Sequence, residues 1–112
     1  MERSELYDPY GEGCSEAAWQ KLPVVFQLFV QRQQMRIQKA IESKYPGKFV
    51  ASSGFRSFHG NTLVGGKSGS RHCFGCARDF VSVGGGHGDI KPCLGDEFRV
   101  IRSPDCWHVE VI

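Results

Sequence analysis

The tripeptide Tyr45-Pro46-Gly47 divides the chain into two parts with different hydrophobic periods, and that division limits the fold more than any other feature. Before it, Pro23 suits the first turn of a helix running to about Ser43. Along that run Phe26, Phe29, Val30, Ile37, Ala40 and Ile41 fall on one helical face, with Gln27, Gln31, Gln34, Gln38 and Glu42 opposite. A shorter helical turn begins at Ser15, whose side chain suits a cap, and the residues up to about 14 read as an extended lead-in. After Gly47 the pattern becomes short apolar runs separated by glycine. Phe49 to Ala51, Asp79 to Val83, Phe98 to Ile101 and His108 to Ile112 read as strands. The loop Gly84-Gly85-Gly86-His87-Gly88 and the segment around Pro92 connect them. A helix followed by several strands predicts an α+β fold, with a small antiparallel sheet packed on an N-terminal helix.

A chain of 112 residues has room for one domain, 1–112, with a helical scaffold over 15–44 and a strand-rich part over 49–112. Fourteen basic residues against twelve acidic leave a net charge of +2, too small to argue for nucleic acid as a partner. The densest apolar patch, Val24 to Val30, is broken by Gln27 and is too short to span a membrane. Met1-Glu2-Arg3-Ser4-Glu5 lacks the basic start and apolar run of a signal peptide. A cytoplasmic product without a signal peptide is therefore expected, as a monomer with no stable membrane insertion. Five cysteines, at 14, 73, 76, 93 and 106, cannot all pair within one chain and read as reduced thiols.

The chemistry-bearing residues cluster in the second part. His72, Asp79 and His108 supply two imidazoles and a carboxylate, the donors a catalytic Zn²⁺ prefers when it keeps its fourth position open for water. Gly75 and Ala77 are small enough to let the backbone turn tightly between the first two. His108 opens a strand in which Val109 and Val111 can pack inward, leaving His108 and Glu110 on the other face. Neighbouring strands could then carry Asp79 and His108 to a common point. The rival site uses sulfur: Cys73-Phe74-Gly75-Cys76 is a C-x-x-C pair that Cys93 and Cys106 could complete. Those last two lie too far apart to form a matching close pair, and small buried hydrophobes filling the sheet core is the simpler reading of the cysteines. Gly66-Lys67-Ser68 resembles the end of a phosphate loop, but Asn61 holds the earlier glycine position. His59 and His87 sit in glycine-rich loops and read as solvated, with His87 able to line a cleft.

The run Ser70-Arg71-His72-Cys73-Phe74-Gly75-Cys76-Ala77-Arg78-Asp79 resembles the S-x-H-x-x-G-x-A-x-D signature of the zinc D-alanyl-D-alanine peptidases, whose fold is shared with hedgehog domains. Ser53-Gly54-Phe55-Arg56-Ser57, the link Asn61-Thr62-Leu63-Val64-Gly65-Gly66, and Asp105-Cys106-Trp107-His108 resemble further family segments in the same order. The resemblance covers residues 52–80 and 105–109, roughly a third of the chain. It implies that His72, Asp79 and His108 bind Zn²⁺ and that Asp105 is the general base. It also implies that Arg56 holds the developing oxyanion and that Ser70 contacts substrate. Many members carry Glu at the base position; Asp105 resembles the phage members that use Asp. The implied function is a metallopeptidase cutting peptidoglycan stem peptides, either as an L-alanyl-D-glutamate endopeptidase or as a D-alanyl-D-alanine carboxypeptidase. Short length and Asp105 lean towards an endolysin or tail component acting on the cell wall after release. The alternative is a relative of the same fold that holds zinc or cell wall without cutting.

Overall fold

Helix α1 (Glu16–Gln20) starts where the Ser15 hydroxyl accepts the Ala18 N–H at 3.1 Å, in a computed structural model that describes residues 14–67 and 69–112. The expected lead-in lies outside the described residues apart from Cys14. Pro23 is the N-cap of α2 (Val24–Lys44), where its missing N–H costs nothing. Tyr45 closes that helix by donating its N–H to the Ile41 carbonyl at 2.7 Å. The four expected strands form, as β1 (Phe49–Ser53), β2 (Ala77–Ser82), β3 (Phe98–Arg102) and β4 (Trp107–Val111). They make one antiparallel sheet in the order β1-β2-β4-β3, so β2 and β4 are its central strands. The fold is α+β, as the hydrophobic pattern predicts.

Strand alternation sorts the side chains of the central pair. Phe80, Trp107, Val109 and Val111 face α2 and pack with Ile37, Ile41, Phe49 and Phe98 into the main core. Each fully buried side chain of this size contributes roughly 1.5–3 kcal/mol relative to exposure. Asp79 and His108 are register partners on the opposite face. A second cluster joins Trp19 and Val30 to Phe55, whose ring meets Trp19 and Phe26 edge-on at centroid distances of 5.6 and 5.8 Å. Phe55 thus anchors the segment after β1 against the helices.

The polar face expected for α2 is not its outer face. Gln34 and Gln38 are buried, whereas Val24, Val25 and Leu28 lie exposed in the first turns. The cause is Arg78, which strand alternation points at the helix while its neighbour Asp79 points away. A buried guanidinium needs hydrogen-bond acceptors. Arg78 donates from Nε to Gln38 Oε1 at 2.8 Å and from Nη1 to Gln34 Oε1 at 3.1 Å. Gln34 Nε2 in turn donates to the carbonyls of Gly75 and Ala77 at 2.7 and 2.8 Å. The glutamines are a polar seam tying α2 to the start of β2.

Two short elements escape the periodicity argument because neither completes two turns. Helix α3 (Phe58–Leu63) is capped by Ser57, whose Oγ accepts the Gly60 N–H at 2.9 Å. A 3₁₀ turn, Arg71–Phe74, is capped by Ser70 and ends at Gly75 in the left-handed region, φ +74°. The tight turn expected at Gly75 is therefore present, while Ala77 lies inside β2. The cysteines follow the expected core-filling reading only in part: Cys73 is buried and half-buried Cys76 packs against the main core, whereas Cys14 packs on the second cluster, Cys106 is half-buried and Cys93 is exposed.

Gly75→Ala tests this turn. A Cβ there would lie 2.7 Å from Val30 Cγ2, on a backbone that disfavours L side chains. The backbone costs about 1–2 kcal/mol and overpacking about 1–3 kcal/mol. Urea unfolding should show a loss in the combined range, and an unchanged midpoint would mean that Val30 and the turn relax freely.

Candidate metal centre

The carboxylate of Asp79 receives both histidines. Its Oδ1 lies 3.1 Å from His72 Nε2 and 3.0 Å from His108 Nδ1, and those two nitrogens are 3.2 Å apart. Three elements deliver the three groups. Strands β2 and β4 place Asp79 and His108 side by side, and the capped 3₁₀ turn lifts His72 over them, its ring 5.0 Å from that of His108. Among the described residues these are the His, Cys, Asp or Glu side chains grouped closely enough to hold a metal, with ligand atoms all within 4.8 Å of one another.

Hydrogen bonds at the far side of each ring decide which nitrogen is left for a ligand. The Gly54 carbonyl lies 2.7 Å from His72 Nδ1, and a carbonyl can only accept, so Nδ1 carries hydrogen and Nε2 presents its lone pair. Glu110 Oε1 lies 2.9 Å from His108 Nε2, which assigns the opposite tautomer and frees Nδ1. Glu110 is held in turn by Arg71, whose Nε reaches Oε2 at 2.9 Å and whose Nη1 donates to the Val111 carbonyl at 3.2 Å. Two imidazole lone pairs and a carboxylate oxygen therefore face one another. That donor set and its outer carbonyl and carboxylate partners fit Zn²⁺.

The electrostatics of the metal-free cluster express the same demand for a cation. Burial alone would raise the pKa of Asp79, but hydrogen bonds and charge from His108 and His72 outweigh it and hold the carboxyl well below the usual carboxylate range. Burial pulls His108 down, but Asp79 and then Glu110 prevail and carry it above its ordinary 6.5. The thiols behave oppositely. Burial raises Cys73 and Cys76, and burial with the nearby Asp79 charge pushes Cys106 up to about 11. A protonated thiol is a poor ligand.

Arg56 stands on the other side of Asp79, donating from Nη2 to Oδ2 at 3.2 Å. Its Nη1 donates to Asn61 Oδ1 at 3.0 Å and its Nε to Ser53 Oγ at 3.3 Å. Asn61 is a supporting residue that composition and spacing do not reveal. It is buried, and its Nδ2 donates to the Lys67 carbonyl at 2.8 Å. Gly66 lies so close to Asn61 and Arg56 that a Cβ would collide with both side chains. The spacing of the N-x-x-V-G-G link follows from that close approach. Ser70, expected at the substrate, accepts the His72 N–H at 3.3 Å and so also shapes the ligand turn. Asp105 is exposed, in the turn between β3 and β4. A cavity of about 680 Å³ brings Arg56, Ser70, His72, Asp79, Asp105 and His108 to one wall system.

A family model described as Peptidase M15 matches residues 8–97. The chain belongs to the peptidase M15 family. The family is one of zinc-dependent peptidases acting on peptidoglycan. The match takes in Arg56, His72 and Asp79 and stops before Asp105 and His108; pairing of β4 with β2 sets His108 beside Asp79, and Asp105 lines the same cavity. No curated protein and no solved structure matched the chain at the significance required. Among the described residues, no helix is long and apolar enough to cross a membrane.

Metal analysis of the purified protein should find close to one zinc per chain. His72→Ala or His108→Ala should abolish it, while the Cys73→Ser, Cys76→Ser double variant should retain it. Loss of zinc in the cysteine variant alone would move the site to sulfur.

Proposed function

We propose that this M15 member hydrolyses peptide bonds in peptidoglycan stem peptides, with zinc held by His72, Asp79 and His108. The observation that carries the reading is the shared cavity, lined by the three converging ligand groups, by the Asp105 carboxylate and by the Arg56 guanidinium, which is bonded to Asp79. Zinc, when bound, supplies the Lewis acidity that activates water and polarises a carbonyl. The remaining work falls to the chain. Asp105, exposed at the cavity wall and free of the hydrogen bonds that occupy Glu110, takes a proton from the attacking water and returns it to the leaving amine. Arg56, fixed by Ser53, Asn61 and Asp79, presents its guanidinium to negative charge developing on the carbonyl oxygen. Ser70 contacts the substrate backbone from the cavity edge. Between the two bonds cut by related enzymes we favour the L-alanyl-D-glutamate bond, because Asp at the base position resembles the phage-type members. Action then falls on the cell wall, as an endolysin or tail component.

Defined muropeptides with mass spectrometry of the products test both the activity and the bond. Asp105→Asn should keep zinc and lose ~10²–10⁴-fold in turnover. Arg56→Lys, which cannot reproduce the planar fork, should lose ~10²-fold or more in kcat. An Asp105→Asn protein as fast as the wild type would remove Asp105 from the chemistry. Zinc binding without cleavage of any muropeptide would identify a binding domain of the same fold.

A further inference from the structure

The glycine loop after β2 is not a free connection, and its histidine is not solvated. His87 is half-buried, and its Nε2 lies 2.6 Å from the Ser103 carbonyl and 3.0 Å from the Cys106 carbonyl. Both neighbours are acceptors, so Nε2 carries a hydrogen shared between them. Ser103 and Cys106 are the two ends of the turn that holds Asp105, and they also bond to each other, Ser103 N–H to Cys106 carbonyl at 3.0 Å. The clasp is itself braced. The Trp107 indole N–H donates to the His87 carbonyl at 2.9 Å, and its ring meets the imidazole edge-on at a centroid distance of 5.1 Å. On the other side Ser82 N–H donates to the Gly86 carbonyl at 2.8 Å, and Gly88 sits where a Cβ would strike the Ser82 side chain. The loop is therefore fastened to β2 at one end and to the Asp105 turn at the other.

We infer that His87 is a positioning residue for Asp105: its single Nε2–H pins both ends of the β3–β4 turn and thereby fixes where the carboxylate stands relative to the metal ligands. Asp105 is exposed and, among the described residues, has no side-chain partner of its own to hold it, so the turn backbone must supply its placement. His108 is held separately, by sheet pairing to Asp79 and by Glu110, which makes the clasp a determinant of the base and not of the metal. The inference rests on the role proposed for Asp105.

Two variants separate the hydrogen bond from packing. His87→Phe keeps a ring against Trp107 and removes the donor; His87→Gln keeps an N–H near the Nε2 position. With zinc-loaded protein and a muropeptide substrate, His87→Phe should lower kcat by about tenfold, with KM and zinc affinity unchanged, as expected when a reacting group is misplaced rather than lost. His87→Gln should recover most of that rate. In His87→Phe the Ser103 amide should exchange with solvent faster, and in an Asp105→Asn background the substitution should have no further effect on kcat. Unchanged kcat, or a loss that persists in full in the Asp105→Asn background, would overturn the inference. So would a loss explained by weaker zinc binding. If Asp105→Asn alone proved fully active, the proposed base would fail, and unchanged Ser103 exchange in His87→Phe would show separately that the clasp does not exist.

Discussion

Two imidazole lone pairs and a carboxylate oxygen, brought within 3.2 Å of one another in a largely buried site, repel unless a cation sits among them. Much of the molecule around the sheet can be understood as holding that unfavourable arrangement in place. The Gly54 carbonyl and the Glu110 carboxylate act from outside, each fixing a ring nitrogen as a donor and turning the other inward. Without metal, a proton takes part of the cation's role, which is why His108 holds its proton more tightly than an ordinary imidazole while Asp79 gives its proton up more easily than an ordinary carboxylic acid. Zinc held as proposed would replace that proton and satisfy all three donors at once.

Rigidity at the site comes from layers beneath it. The Arg78–Gln34–Gln38 seam joins α2 to β2 one residue from Asp79, and Gln34 also grips the carbonyls on either side of Cys76. A buried, well-satisfied network of this kind is stiffer than an apolar contact of the same area. On the far side Phe55 is wedged among Trp19, Phe26 and Val30, so the next residue, Arg56, emerges towards Asp79. The chain thus places polar residues in its core next to Asp79, the carboxylate proposed to hold the metal.

The sheet, the long helix and the meeting of Asp79 with His108 were legible because strand alternation and helical period are direct consequences of backbone geometry. The S-x-H-x-x-G-x-A-x-D run resembled the peptidase signature for a physical reason now visible: a capped turn, a left-handed glycine and a strand are needed to bring residues 72 and 79 together. The helical pattern sets Gln34 and Gln38 on the outer face because it carries no sign of the buried arginine that arrives from residue 78. Helix α3 is not legible in the sequence because a single capped turn and a half has no period to detect. The sequence makes His87 look solvated because its partners are backbone carbonyls sixteen and nineteen residues away, which leave no trace in side-chain spacing. Asn61 was visible only as part of a motif; its double grip on Arg56 and the Lys67 carbonyl is a property of the fold.

The opposed tautomers of the two histidines are the most specific consequence of this arrangement, and ¹⁵N NMR of the imidazole rings in the zinc-loaded protein reads them directly. The account predicts that His72 is bound through Nε2 with hydrogen on Nδ1, and His108 through Nδ1 with hydrogen on Nε2. Binding of both rings through the same type of nitrogen, or ring signals unchanged by zinc, would contradict it.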